Sequence, residues 1–302
     1  MRKLLKLLCG TLYIISISLS TINAGEVVNN QTSLLLKLDV VLSKNEYLER
    51  EPIIVNATLT NGGSVSLKVA EPLVLHHFLK YKIIKIGGDI SKEPRLMPMI
   101  VGFPKDYGIN LTPGQSISCA WNLNEDFPFG LSLGDYKIKF IYTTEGYQKE
   151  YPEIYSQHIE YETISFRIIP PAGKDKKALE IWKQALEKFN LHGKDKDNRL
   201  ALKYFKKIVR EYSTSNYAIH AYYYTGKCFL RLHDFEQVIV EYKNFINKYP
   251  DYPYYSENSQ KFIAVGYYMM KDYKRARLAY QKLPDSYEKK QWIKRCEDKL
   301  LK

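Results

Sequence analysis

Few residues in this chain have both the type and the spacing that chemistry demands. His76 and His77 are adjacent; neighbours on a strand point to opposite faces, so the pair cannot chelate one metal together. No carboxylate or cysteine stands beside them at ligand spacing, which predicts one packed and one exposed imidazole. Cys119, Cys228 and Cys296 are far apart, with no CxxC pair to hold zinc or exchange electrons. They read as small buried apolar side chains, with Cys228 to Cys296 the one disulfide pairing left open. Asp234 and Asp272 invite attention because they recur, yet each falls just before a helical run, where an Asp caps the helix by accepting its free amide hydrogens. The sequence contains no glycine-rich phosphate loop, GxSxG or HExxH. The expectation is a non-enzyme with no catalytic residue, metal ligand or cofactor; an enzyme would have to assemble its site between domains.

The surrounding elements divide the 302 residues into a leader and two domains. Arg2, Lys3 and Lys6 precede an apolar run from Leu7 to Ser20, and Ala24 ends a small-residue cleavage site before Gly25, the form of a secretory signal. The run is short for a membrane span of about 20 residues; cleavage is expected, and retention as an anchor is the alternative. Cys9 lacks a lipobox, so lipid attachment is rejected. Residues 25–172 show short alternating β-branched runs between turn signals, with candidate strands at 34–42, 53–60, 66–69, 74–86, 115–121, 136–143 and 163–169. In the run 53–60, residues 53, 55, 57 and 59 are expected to face inward. Seven such strands suit an immunoglobulin-like sandwich. The pattern Tyr47-x3-Glu51-Pro52-Ile53-x-Val55-x3-Leu59-Thr60-Asn61, with Pro113-Gly114 and Gly134-Asp135-Tyr136 downstream, is similar to the extracytoplasmic immunoglobulin-like domains of bacterial envelope proteins. Pro170-Pro171-Ala172-Gly173 ends the strand character, and helical spacing runs to the C-terminus.

Within residues 173–302 the chain repeats. Gly226, Phe229, Asp234, Phe235, Val238, Tyr242 and Phe245 return 38 residues later as Ala264, Tyr267, Asp272, Tyr273, Ala276, Tyr280 and Leu283. Asp197, Ala201, Phe205, Ile208 and Tyr212 precede Asp234, Val238, Tyr242, Phe245 and Tyr249 by 37. This resembles the tetratricopeptide repeat, a two-helix unit of about 34 residues with small and aromatic residues at fixed offsets. The resemblance implies an α-α superhelix of about three hairpins, with residues 286–301 as a solubilising cap helix. It also implies that the small and aromatic residues are packing residues, and that the first helix of each hairpin lines an inner groove. On this chain that expectation places His220, Tyr223, Lys227, Arg231, Asn258, Lys261 and Tyr268 in the groove, a basic and aromatic set suited to a peptide bearing carboxylates.

Charge supports the same division. Residues 25–172 carry 14 Lys and Arg against 17 Asp and Glu, whereas residues 173–302 carry 28 against 16. Such a basic half favours an acidic partner or an anionic membrane surface; nucleic acid is rarely met by an exported protein. The whole is read as a multidomain all-β plus all-α chain: a signal peptide at 1–24, an immunoglobulin-like sandwich at 25–172 and a tetratricopeptide-type domain at 173–302. The expected function is a periplasmic or secreted bacterial adaptor that binds protein or peptide through its groove, with no membrane span once the signal is removed. A protease inhibitor acting through the sandwich loops is the alternative from another class, and an envelope assembly factor a third.

Overall fold

The computed structural model describes residues 35–70, 78–87, 91–92, 108–125, 127, 130–145, 152–189 and 195–301. The leader, Cys9, His76-His77 and most of the 191–196 loop lie outside them. The described residues belong to one compact unit.

The first half is β-rich. Its strands are β1 (Leu36–Leu42), β2 (Glu46–Leu48), β3 (Ile54–Asn61), β4 (Leu67–Val69), β5 (Leu79–Lys85), β6 (Ser91–Lys92), β7 (Ile109–Leu111), β8 (Ser116–Asn122), β9 (Gly134–Thr143), β10 (His158–Glu160) and β11 (Ile164–Ile169). One sheet has the order β1-β3-β8, a second β2-β11-β9-β5-β6 with β10 on β9, and β4 pairs with β7. Every pairing is antiparallel except β2 with β11. The alternation that forms these strands also builds the core, because side chains of one parity share a face. Val55, Ala57 and Leu59 of β3 are buried with Leu36, Leu38 and Val40 of β1, and they meet Tyr81 and Ile83 of β5 and Ile138 and Phe140 of β9 in one cluster. The outward parity of β3 is polar: Thr58 and Thr60 bond Ser118 and Ser116 of β8, each at 2.8 Å. Tyr136, at the start of β9, donates its hydroxyl back to Ser132 O at 2.7 Å. All seven expected strand regions contain strand; of the 74–86 run, residues 74–77 lie outside the described residues and Leu79–Lys85 is strand. β2, β6, β7 and β10, of two or three residues each, were not expected, whereas β4, equally short, falls in the expected 66–69 run.

The second half is helical among the described residues: α1 (Gly173–Lys188), α2 (Asp195–Glu211), α3 (Asn216–Arg231), α4 (Phe235–Lys248), α5 (Pro253–Met269), α6 (Tyr273–Gln281) and α7 (Tyr287–Leu300). Each packs on the next in sequence. The recurring residues do the packing and capping expected of them. Asp234 Oδ1 accepts from Gln237 N at 3.2 Å and Asp272 Oδ1 from Arg275 N at 3.0 Å. The preceding residues, His233 and Lys271, both take left-handed backbone, so the two hairpin turns share one geometry. Tyr242 is fully buried, stacks on Phe262 with centroids 5.2 Å apart, and touches Tyr223 at 5.6 Å. Trp292 of α7 stacks on Tyr280 at 5.5 Å and closes the last hairpin. Cys228 and Cys296 are buried and free, so the pairing left open between them is not formed.

Gly226 shows why a small residue recurs at this position. A Cβ there would lie 2.5 Å from Tyr242 Cζ, and that ring is held between Tyr223 and Phe262. Alanine gains about 1 kcal/mol of helix propensity, but overpacking a fixed core costs about 1–3 kcal/mol. Gly226→Ala is therefore expected to lower stability by up to about 2 kcal/mol, read as a reduced urea midpoint; a raised midpoint would show that Tyr242 can move aside.

Candidate functional site

The connector between β2 and β3, Glu49-Arg50-Glu51-Pro52, is where the two halves meet. Arg50 takes a left-handed φ of 65°, and Glu51 N closes the turn onto Leu48 O at 3.0 Å. The Glu51 carboxylate folds back over this turn. Oε2 accepts from Leu48 N at 2.8 Å and Oε1 from Lys44 Nζ at 2.5 Å. Glu49 N donates to Ile169 O at 3.0 Å, so the end of β11 holds the connector in place.

The helices supply the opposite wall. On α3, Tyr217, His220, Tyr224 and Lys227 fall three or four residues apart and so share a face. Tyr217 Oη donates to Glu49 O at 2.6 Å, and Trp182 Nε1 on α1 donates to Arg50 O at 3.1 Å. Lys183 Nζ pairs with Glu49 at 2.9 Å. His220 Nε2 stands 3.4 Å from Glu51 Oε1, and its Nδ1 is 2.6 Å from Tyr255 Oη on α5. Leu48 and Ile54, which flank the connector, join the helical core. Lys227 Nζ reaches Glu125, beyond β8, at 3.5 Å.

The electrostatics follow from burial. Glu51 is 4% exposed and His220 6%. Burial opposes the Glu51 charge, but the hydrogen bond from His220, with the charge and hydrogen bond of Lys44, outweighs it and holds the carboxyl below its usual range. Desolvation dominates at His220 and lowers its proton affinity despite Glu51. An ionised carboxylate can only accept, so the neutral ring carries its proton on Nε2, and Nδ1 accepts from Tyr255 Oη. Burial raises the pKa of Tyr255 as well, keeping its hydroxyl protonated as that donor. Both ring nitrogens and both Glu51 oxygens are thereby engaged within the protein. Beside them opens a cavity of about 600 Å³, lined among others by Lys44, Asn56, Ile219, Asp251, Tyr252 and Tyr254, a volume within the ordinary range for ligand pockets.

The seven residues expected along an open groove do not share one open surface. His220 and Tyr223 are buried: Glu51 and Tyr255 cover His220, and Tyr223 packs among Tyr242, Phe245 and Tyr255. Lys227 lies between Glu125 and the rings of Tyr223 and Tyr224. Arg231 is half-buried, its guanidinium 3.2 Å from the centroid of Phe189. On α5, Asn258 donates to Tyr254 O at 2.8 Å, Lys261 pairs with Glu288 at 2.8 Å, and Tyr268 packs edge-on against Tyr273 and Trp292. The sequence reading missed Lys44, Glu49, Glu51, Trp182, Tyr217 and Tyr255 as site residues. Glu51 and Pro52 were read only as part of the Tyr47–Asn61 pattern, and nothing in the spacing of these six residues announced that they meet. Among the described residues, no group of three or more His, Cys, Asp or Glu side chains is placed to hold a metal ion.

Residues 220–252 match the family model described as tetratricopeptide repeat. No curated protein matches the chain. Among solved structures, the chain is similar to a β-glucosidase from Listeria innocua in complex with laminaribiose, at 13% identity over 46% of this chain and 16% of that one, with a TM-score of 0.28. It is similar to the sporulation control protein Spo0M from Bacillus subtilis at 11% identity over 49% and 55%, TM-score 0.27. A β-glucosidase from Kluyveromyces marxianus gives 12% identity over 44% and 15%, TM-score 0.21. The chain thus spans about one sixth of the Listeria enzyme and about half of Spo0M. Neither fold nor activity carries across at these scores.

Acid should loosen the contact. His220 binds its proton less tightly folded than unfolded, so the neutral ring's contribution is fully present above its ordinary value of 6.5 and is lost as pH falls through the lower folded value. Glu51, also depressed, contributes above 4.5 and loses that contribution as pH falls through its own folded value. The urea midpoint should therefore fall on acidification below about pH 6.5, and His220→Gln should flatten the upper part of that decline. A wild-type midpoint that stays level down to pH 4.5 would contradict this.

Proposed function

We propose that this protein is an exported, non-enzymatic adaptor that holds protein partners through its helical repeats, with an immunoglobulin-like sandwich docked in front of them. The observation that carries the reading is the tetratricopeptide match at residues 220–252, within a run of antiparallel hairpins that share turn geometry and capping. Repeats of this kind stack into extended binding surfaces. The excess of Lys and Arg in residues 173–302 favours an acidic partner segment, and the same charge suits association with an anionic membrane surface. The non-enzymatic reading is supported by the engagement of His220 and Glu51, whose polar atoms face protein partners on both sides.

The immunoglobulin-like assignment is supported by strand order. With β1, β3 and β8 as strands A, B and E, and β5, β9 and β11 as C, F and G, the two sheets follow the arrangement of that fold. Tyr136 bonding to Ser132 O at the start of β9 has the geometry of a tyrosine corner. Export is supported by the basic and apolar leader ending at Ala24. No helix among the described residues is long and apolar enough to cross a membrane.

Two measurements test the reading. Photocrosslinkers placed at Asn258 and Lys261 in the native host should capture a protein, whereas one at Ser118 on the outer face of β8 should not; capture from Ser118 alone would move partner binding to the sandwich. N-terminal sequencing of the exported protein should begin near Gly25, and an intact Met1 on it would remove the cleaved signal.

A further inference from the structure

We infer that the helical repeats carry a recognition site for a short acidic turn of the Glu-x-Glu type, and that Glu49–Glu51 occupy this site in cis. The inference rests on the adaptor reading, because it names the chemistry that the repeats would read in a partner. The connector is held in the manner of a bound peptide. Two successive backbone carbonyls, of Glu49 and Arg50, accept from Tyr217 Oη at 2.6 Å and Trp182 Nε1 at 3.1 Å. Two carboxylates spaced two residues apart meet Lys183 Nζ at 2.9 Å and His220 Nε2 at 3.4 Å. Leu48 and Ile54 anchor the two ends in the helical core. The groups that grip it come from the first helices of successive hairpins, α1 and α3, and Tyr255 on α5 braces His220 from the third. Backbone carbonyls and carboxylates are what any acidic turn presents, so the helical donors would accept the same turn from another chain.

The seat is accessible from one side. The cavity of about 600 Å³ borders Glu51 and His220 directly and is lined as well by Tyr252, Tyr254, Ile54 and Asn56. Lys44, the β-side partner of Glu51, has a side chain 38% exposed. An entering segment can therefore approach His220 through the cavity, and reach Tyr217, which does not line it, as the connector lifts away. A cis occupant lowers apparent affinity in proportion to the fraction of molecules in which the seat is free, so the intact protein would bind such a turn weakly until the connector is displaced.

The test uses the full chain and a synthetic peptide with the sequence of residues 46–55, followed by fluorescence anisotropy. The wild-type chain should bind weakly. Full-chain Glu51→Gln, which loosens the cis occupant, should bind at least tenfold more tightly, and a peptide carrying Gln at both positions 49 and 51 should lose that gain. Adding Tyr217→Phe to the Glu51→Gln chain should also weaken binding severalfold. Should Glu51→Gln fail to fold, Glu49→Gln removes only the half-exposed pair with Lys183 and should give a smaller gain of about threefold. Peptide binding to neither chain, or binding indifferent to Tyr217 and to the peptide carboxylates, overturns the inference. A peptide that does not bind while crosslinks from Asn258 still capture a protein removes the cis-occupied site and leaves the adaptor reading; a peptide that binds while capture fails does the reverse.

Discussion

The buried contact between Glu51 and His220 is the constraint on which the arrangement of this protein depends. A carboxylate 4% exposed and an imidazole 6% exposed are costly to bury unless each polar atom finds a partner. Here the partners come from both halves: Lys44 and Leu48 N from the β-rich region, Tyr255 from α5. Separating the halves would leave Glu51 with its local partners but His220 without its carboxylate acceptor. The two regions are consequently packed in one register, with Leu48 and Ile54 filling the helical core beside the polar contact and Trp182 and Tyr217 satisfying the carbonyls of the turn. Polar groups specify the alignment, and the apolar neighbours supply much of the attraction.

The repeats provide a rigid frame for that contact. Small residues allow close approach of neighbouring helices, as where Gly226 faces the Tyr242 ring, and aromatic residues fill the space between hairpins. Those residues are consumed by packing. Side chains on α1 and α3 turn toward the β-rich region, and in this conformation the protein's own connector occupies them. Function in a protein of this design would depend as much on what displaces the connector as on the repeats themselves.

Much of this frame was legible in the sequence, and the contact was not. The 38-residue recurrence located α3 to α6, and Asp234 and Asp272 cap helices as their positions implied, because capping and helical packing are local and periodic. Strands with five or more residues announced themselves by alternation; β2, β6, β7 and β10 are too short to show a period. The exposure of His220 and Tyr223 was misjudged for a different reason. His220 and Tyr223 do lie on the first helix of a hairpin, but sequence spacing says which face a residue is on and not what covers that face. Glu51 and His220 are 169 residues apart, and no local pattern encodes a pairing at that distance. Glu51 closes a turn onto Leu48 O, and its carboxylate acquires a role only when α3 is folded against it.

A double-mutant cycle on Glu51 and His220 tests this account most directly, using Glu51→Gln, His220→Gln and both together in the full chain at neutral pH, with unfolding free energies from urea titration. Residues that share a buried hydrogen-bonded contact should couple, with the double mutant departing from the sum of the singles by about 1–3 kcal/mol. Additivity to within about 0.5 kcal/mol would mean that the two side chains act independently, and the contact proposed to align the two halves would not be the one that holds them.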